Sequence, residues 1–147
     1  LYTKFSKAFT FEFTDKDGLY GSRRLAADMK ADGSLARARA MILLDMVGDH
    51  DLKIAIPTGD PALTQAVFEA SEALGWRDHL GLMGAPLLDD HHPFQVEGVS
   101  CIDLIDFDFG PGHTYWHTAQ DTMDKVSPKS LEIVGKTVLK VLEDMQP

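Results

Sequence analysis

Residues 41–47 read MILLDMV, a continuous apolar run of strand length interrupted by a single aspartate. Such a run suits a central strand covered on both faces, the arrangement of a sheet flanked by helices. Working outward from it, residues 52–56 (LKIAI) give a second, shorter strand. Asp60 followed by Pro61 supplies a capping side chain and a proline at the first helical position, and Leu63, Val67, Ala70 and Leu74 follow at helical spacing. Residues 101–107 (CIDLIDF) are strand-like again and are broken by GPG at 110–112. Ser127 and Pro128 repeat the cap-plus-proline signal, and Leu131, Val134, Val138, Val141, Leu142 and Met145 form the apolar face of a closing helix. Upstream, residues 8–13 (AFTFEF) read as a strand and residues 14–18 (TDKDG) as a turn. A helix over 19–30 follows, with Tyr20, Leu25, Ala26 and Met29 as its stripe and Gly33 as its stop. Strands and helices alternate without repeats, low complexity or a linker, so the expected fold is α/β, one domain over residues 1–147.

At 147 residues with 44% hydrophobic side chains the chain can bury one core. Its formal charge of -9 repels phosphate backbones and anionic lipid, so the expected partner is a small molecule or a peptide, with no nucleic acid and no membrane. The single cysteine, Cys101, lies in an apolar run and reads as a small core residue. The chain has no apolar stretch near the roughly 18 residues that span a bilayer, and no basic-then-apolar leader opens it.

Three places carry candidate chemistry. Asp45 sits in the most apolar stretch, where an ionised carboxylate needs a hydrogen bond, a cation or a metal. The plainer reading puts it at the strand's exposed C-terminal end, which is also where ligands bind in open α/β sheets. Residues 89–94 (DDHHPF) gather Asp89, Asp90, His91 and His92 in a loop before Pro93 and Phe94, readable as a functional loop or as a solvated acidic one. In residues 112–118 (GHTYWHT), His113 and His117 are four apart and Trp116 precedes His117. The GPG before them favours a loop over a helix that would align both imidazoles for a metal.

Taken in order, LYGSRRLA at 19–26, LLDMVGD at 43–49, DDHHPF at 89–94 and YWHTAQDTMDKVS at 115–127 resemble the glutaminyl cyclases and their zinc aminopeptidase relatives, over residues 13–146. The resemblance implies a truncated three-layer sandwich with a mixed sheet, corresponding to the C-terminal portion of a zinc-exopeptidase-like fold. It implies that His117 is a zinc-binding histidine and that Trp116 and Phe94 belong to the substrate pocket. Asp45 resembles a zinc ligand of the aminopeptidases and a proton-network carboxylate of the cyclases, and Asp89 resembles its network partner. Asp90 and His91 join them as catalytic candidates. Bacterial relatives of this kind are commonly exported.

Departures from the pattern bear on the chemistry. Where the family has a Glu-Glu pair this chain has Phe5, Ser6, Lys7, Ala8 and Phe9, and Arg24 stands where histidine is usual. Glu12 does not fill the missing role. Zinc is therefore expected only if His117, Asp45 and a further ligand hold it, because a catalytic zinc takes three protein ligands. The resulting expectation is a hydrolase-type domain acting on peptide N-termini if metal is retained. The alternatives are a metal-independent hydrolase with a carboxylate and imidazole pocket, as for glycosides, or an inactive remnant. A half-sized sheet leaves an apolar edge, from which a homo-oligomer is expected.

Overall fold

The computed structural model describes residue 14 and residues 17–145. The strand read at 8–13, the region 5–9 and Glu12 lie outside the described residues. Eight elements follow one another: α1 (Tyr20–Ala31), β1 (Met41–Asp45), β2 (Ile54–Ile56), α2 (Pro61–Ala73), β3 (Leu80–Leu82), α3 (His92–Val96), β4 (Cys101–Ile105) and α4 (Pro128–Asp144), with single 3-10 turns between some of them. The sheet order is β1-β4-β2-β3. β1 runs parallel to β4 and β2 parallel to β3, while β2 meets β4 antiparallel, so the sheet is mixed as expected.

The caps behave as the sequence dictates. Asp60 Oδ1 accepts from the Ala62 and Leu63 amides at 2.8 and 3.0 Å, and the Ser127 side chain accepts from the Ser130 amide. Gly33 ends the first helical segment at φ 77°, a conformation that costs glycine nothing.

Alternation along β4 sends Ile102 and Leu104 to one face of the sheet and Cys101 and Asp103 to the other. On the first face they pack with Ile54 and Ile56 of β2, Leu63, Val67 and Ala70 of α2, and Ile133, Val134 and Val141 of α4. On the second, Cys101 packs with Ala26 of α1, Leu35, Phe94 of α3 and Val99, with Met41 against them. Three layers result.

Among the described residues, β4 has a neighbouring strand on each side. β4 is buried at all five positions, with β1 on one side and β2 on the other. β1 is an edge strand among the described residues, and its Leu44 is 42% exposed. Its apolar run packs on both faces of the sheet, with Ile42 against the first core and Met41 against the second. Helical periodicity marked more apolar surface than these helices bury: Leu25 of α1 and Leu131 and Leu142 of α4 are exposed. β3 and α3 were absent from the sequence reading because three and five residues carry no resolvable period.

Leu104, fully buried on the central strand between α2 and α4, is the most direct test of this core. Leu104→Ala is expected to cost about 2–5 kcal/mol, seen as a lower urea midpoint at unchanged slope; an unshifted midpoint would contradict the packing.

Candidate active site

The β1–β4 register pairs Leu43 with Asp103 and Asp45 with Ile105, so Asp45 and Asp103 share one face of the sheet. The turn before α3 brings Asp89 and Asp90 to the same place. Burial is the leading cause of every shift in this cluster. It raises the Asp45 carboxyl above its ordinary value, opposed by the Met46 amide and by the His117 imidazole, with Asp90 adding to the rise. Asp89 is pushed up to about 6, by burial first, against the Asp90 amide that donates to it at 2.6 Å, and then by the Asp45 and Asp90 charges. Asp103 is only 2% exposed and is pushed up to about 8 by burial and then by Asp89, Asp45 and Asp90. Like charges so close in a low dielectric cannot all ionise, and protons stay on the deepest group.

Asp90 accepts a hydrogen bond at 2.6 Å from Ser22 Oγ near the start of α1, which ties the LYGS stretch to the DDHHPF turn. His91 is 3% exposed, behind the carboxylates rather than among solvent-facing groups, and burial lowers its basicity, with His92 acting the same way and Asp90 against. Its Nδ1 lies 3.6 Å from Asp103 Oδ2. Phe94 lies in the core beneath α1, where its side chain packs with Ala26 and Cys101, so the structure gives it a packing role and no pocket wall.

The remaining wall comes from the loop after β4. Phe107, His113, Trp116 and His117 form a continuous column of rings: Phe107 and His113 stack at 5.3 Å, His113 and Trp116 meet at 5.1 Å, and Trp116 and His117 stack at 4.0 Å. His113 and His117 are both left-handed, at φ 62° and 55°, so the spacing of four belongs to a folded loop and not to a helix. Trp116 stays 45% exposed, and His117, which stacks on it, acts on Asp45. Buried Asp49 anchors the loop by accepting from the Gly110 amide at 2.5 Å. Gly110 itself has φ 76°, and a Cβ there would strike the Tyr115 ring.

The sequence reading found Asp45, Asp89, Asp90, Trp116 and His117, and the structure gathers them at the C-terminal end of β1 and in the loops beside it. It missed Asp103. The signal was present, since an aspartate inside CIDLIDF raises the same difficulty as one inside MILLDMV.

The sequence profile of peptidase family M28 matches residues 8–142. The chain belongs to peptidase family M28. Among solved structures, the glutaminyl cyclase of an Acidobacteriales bacterium is similar over 95% of this chain and 49% of its own, at 36% identity and a TM-score of 0.87. A leucine aminopeptidase precursor from Bacteroides thetaiotaomicron is similar over 94% of this chain and 48% of its own, at 26% identity and a TM-score of 0.80. The Saccharomyces cerevisiae protein YFR018C is 29% identical over 140 residues, covering 75% of this chain and 38% of the yeast protein. The M28 chain thus spans about half the length of these structures and less of the yeast relative. Its four-stranded mixed sheet and flanking helices are those of the glutaminyl cyclase and exopeptidase fold.

Among the described residues, no three His, Cys, Asp or Glu side chains come together as a group that could hold a metal ion. Asp45 and His117 influence each other, but a zinc site needs a third ligand. The described donor set does not fit a catalytic zinc by itself.

The raised carboxyls fix a pH dependence. Each binds its proton more tightly folded than unfolded, so between the ordinary and folded values the native state holds more protons and stability falls as pH rises. For Asp103 that window runs from 3.8 to about 8, and for Asp89 from 3.8 to about 6. Urea unfolding should therefore give a midpoint that declines from pH 4 to pH 8, and Asp103→Asn should flatten the part between pH 6 and 8; a wild-type midpoint that rises across pH 6 to 8 would refute the assignment.

Proposed function

We propose that this chain supplies the proton-handling and aromatic part of a site that acts on peptide N-termini, in hydrolysis or in cyclotransfer. The observation that carries this reading is the pair of largely buried carboxyls Asp45 and Asp89, with Asp89 pushed up to about 6 by burial and then by the Asp45 charge, while Asp45 also feels the His117 imidazole that stacks on the half-exposed Trp116. A general acid or base works best when its pKa lies near the operating pH, and perturbed carboxyls collect where such transfer occurs. In this reading Asp89 takes up and returns the proton of the reacting amine or amide, burial and then the Asp45 charge keep Asp89 basic, and the exposed part of the Trp116 ring meets the first side chain of the peptide. His117 stacks on that ring and acts on Asp45. The similarity to a glutaminyl cyclase and to an aminopeptidase supports peptide over sugar as substrate.

Because the described donors do not complete a metal group, no step is assigned to zinc. Turnover of an N-terminal glutaminyl peptide and of an aminoacyl anilide, each measured in metal-free buffer and with added zinc, tests the reading. A rate that rises with pH through about 6 and falls roughly 100- to 10,000-fold in Asp89→Asn is expected. No turnover under either condition, or equal turnover in the variant, would overturn it.

We further propose that a second copy of the chain covers the edge of β1 that no strand among the described residues pairs with. The strand presents no Lys or Pro to blunt pairing, and Asp45 at its end is the only charge on it. On α4 the buried residues Ile133, Val134, Thr137 and Val141 form one stripe, and Leu131, Gly135, Leu139 and Leu142 form a second beside it. Leu139 is 59% exposed. A two-fold axis normal to the sheet pairs β1 with its copy antiparallel and brings both α4 stripes to the same side, so one operation covers both surfaces. Light scattering behind a sizing column should give twice the 16.2 kDa chain mass. Charge repulsion between copies of -9 should make the dimer stronger in added salt. Leu44→Lys with Leu139→Glu should give monomer, and a wild-type monomer at every concentration would remove the proposal.

A further inference from the structure

Four buried side-chain atoms are left without a hydrogen-bond partner among the described residues, and three of them belong to one contact: Nδ1 of His91 and both oxygens of Asp103. Each residue is almost wholly enclosed, at 3% and 2% exposure, and the two approach to 3.6 Å. Orphaned buried polar atoms are rare, and at 3.6 Å these two groups stand just outside hydrogen-bonding distance, so a small closure of the gap would give each a partner.

The charges around the contact decide what kind of bond it is. Asp45 from β1, Asp89 and Asp90 from the turn before α3, and His92 at the start of α3 all act on it. Three carboxyls oppose a negative charge on Asp103, and burial opposes a positive charge on His91 more than Asp90 favours it. A fully charged pair would need both ions to be desolvated with no further donors or acceptors to serve their remaining valences, which is the costly form of a buried ion pair. The neutral form, a carboxylic acid donating to an imidazole nitrogen, pairs Nδ1 with one Asp103 oxygen through one proton and leaves the other oxygen uncharged, which is the less costly state for a carboxyl oxygen without a donor.

We propose that Asp103 donates a proton-bearing oxygen to Nδ1 of a neutral His91, and that this bond is the positioning device that pins the DDHHPF turn to the central strand. His91 is well placed to transmit it. Its carbonyl accepts from the Phe94 and Gln95 amides at 3.2 and 3.0 Å, opening α3, while the Asp89 carbonyl accepts from the His92 amide at 2.8 Å and closes the turn. Asp89 and Asp90 are the two residues immediately before His91, so holding the imidazole on β4 fixes where both carboxylates stand relative to Asp45 and Ser22. Asp103 is thus a positioning residue, acting on Asp89 through His91. The catalytic consequence rests on the role proposed for Asp89, whereas the bond itself is read without any turnover.

Long-range proton–nitrogen NMR of the imidazole rings in the 147-residue chain at pH 6.5 tests the bond, with the His91 signals assigned from their loss in His91→Gln. The expected signature is a neutral ring with hydrogen on Nε2 and an unprotonated Nδ1. Asp103→Asn, whose amide can still donate, should keep that signature, and Asp103→Leu should lose it and raise amide hydrogen exchange at 89–94 by at least tenfold over Asp103→Asn. A doubly protonated His91, a ring with hydrogen on Nδ1, or equal exchange in the two variants would each overturn the proposal. Should Asp103→Leu fail to fold, the wild-type and Asp103→Asn tautomers still decide it. Loss of Asp89-dependent turnover with the tautomer intact would count against the role of Asp89 and not against the pair.

Discussion

Two parallel strands in fixed register set the character of this molecule. Because Leu43 faces Asp103 and Asp45 faces Ile105, two carboxyls separated by the rise of two residues look out of the same side of the sheet. The α1 and α3 layer closes over that side with Ala26, Leu35 and Phe94, and it excludes water from part of it. Burial first, and then repulsion between the enclosed carboxyls, which grows as the surrounding dielectric falls, retains protons on Asp103 and Asp89 well above the ordinary carboxylate range. Every group added by the turn before α3 then enters a field already set by β1 and β4. A shift of one strand by a single residue would move both carboxyls to opposite faces and dissolve the cluster.

The aromatic column is built on a different principle, that of enforced strain. Left-handed backbone at His113 and His117 is unfavourable for side chains with a Cβ and persists only where the surroundings over-determine it. Those surroundings are visible. Asp49 holds the Gly110 amide, Tyr115 donates its amide to the Phe109 carbonyl, and the Phe109 and Tyr115 rings meet edge to face at 5.5 Å. Asp49 is in turn bonded through its carbonyl to Ser130 Oγ at the start of α4. The long closing helix therefore does more than cover the core. Its first turn carries the clamp that holds the loop in which His117 acts on Asp45 and stacks on Trp116.

Much of this was legible in the chain. Asp60 and Ser127 announced two helices because caps followed by proline are local chemistry, and local chemistry does not depend on what lies across the fold. Asp45 stood out because a lone acid in MILLDMV has no local explanation. Asp103 was hidden by its neighbours: CIDLIDF carries two acids, so neither stands out as the lone acid of MILLDMV does, until β4 proves to be buried at all five positions. The DDHHPF turn was ambiguous for a related reason. Its composition is that of a solvated loop, and only contact with β4 and α1 sends His91 and Phe94 inward while Asp89 and Asp90 face the site. The exposed Leu131, Leu139 and Leu142 show the limit of periodicity, which reveals how wide an apolar face is but not which part of it another element covers.

The energetics of the cluster argue for its purpose. Among the described residues, Asp45, Asp89 and Asp103 form no salt bridge with Lys or Arg, whereas the lysine–acid pairs that do occur lie along the surface of α4 and other exposed segments. A buried acid without a cation contributes nothing to folding that a well-packed aliphatic would not contribute more cheaply, and at neutral pH it works against the native state. Leucine at 103 would complete the second core beside Cys101. The carboxyl there holds a proton in place, and holding protons above their usual range is useful only where protons are to be moved or where a neighbouring base must be kept at a set distance. Strain in the loop after β4 has the same direction, since it keeps an aromatic surface open that folding alone would bury. Two independent costs, one electrostatic and one conformational, therefore fall on the groups that the proposed function uses: the Asp45 and Asp89 carboxyls and the stacked Trp116 and His117 rings.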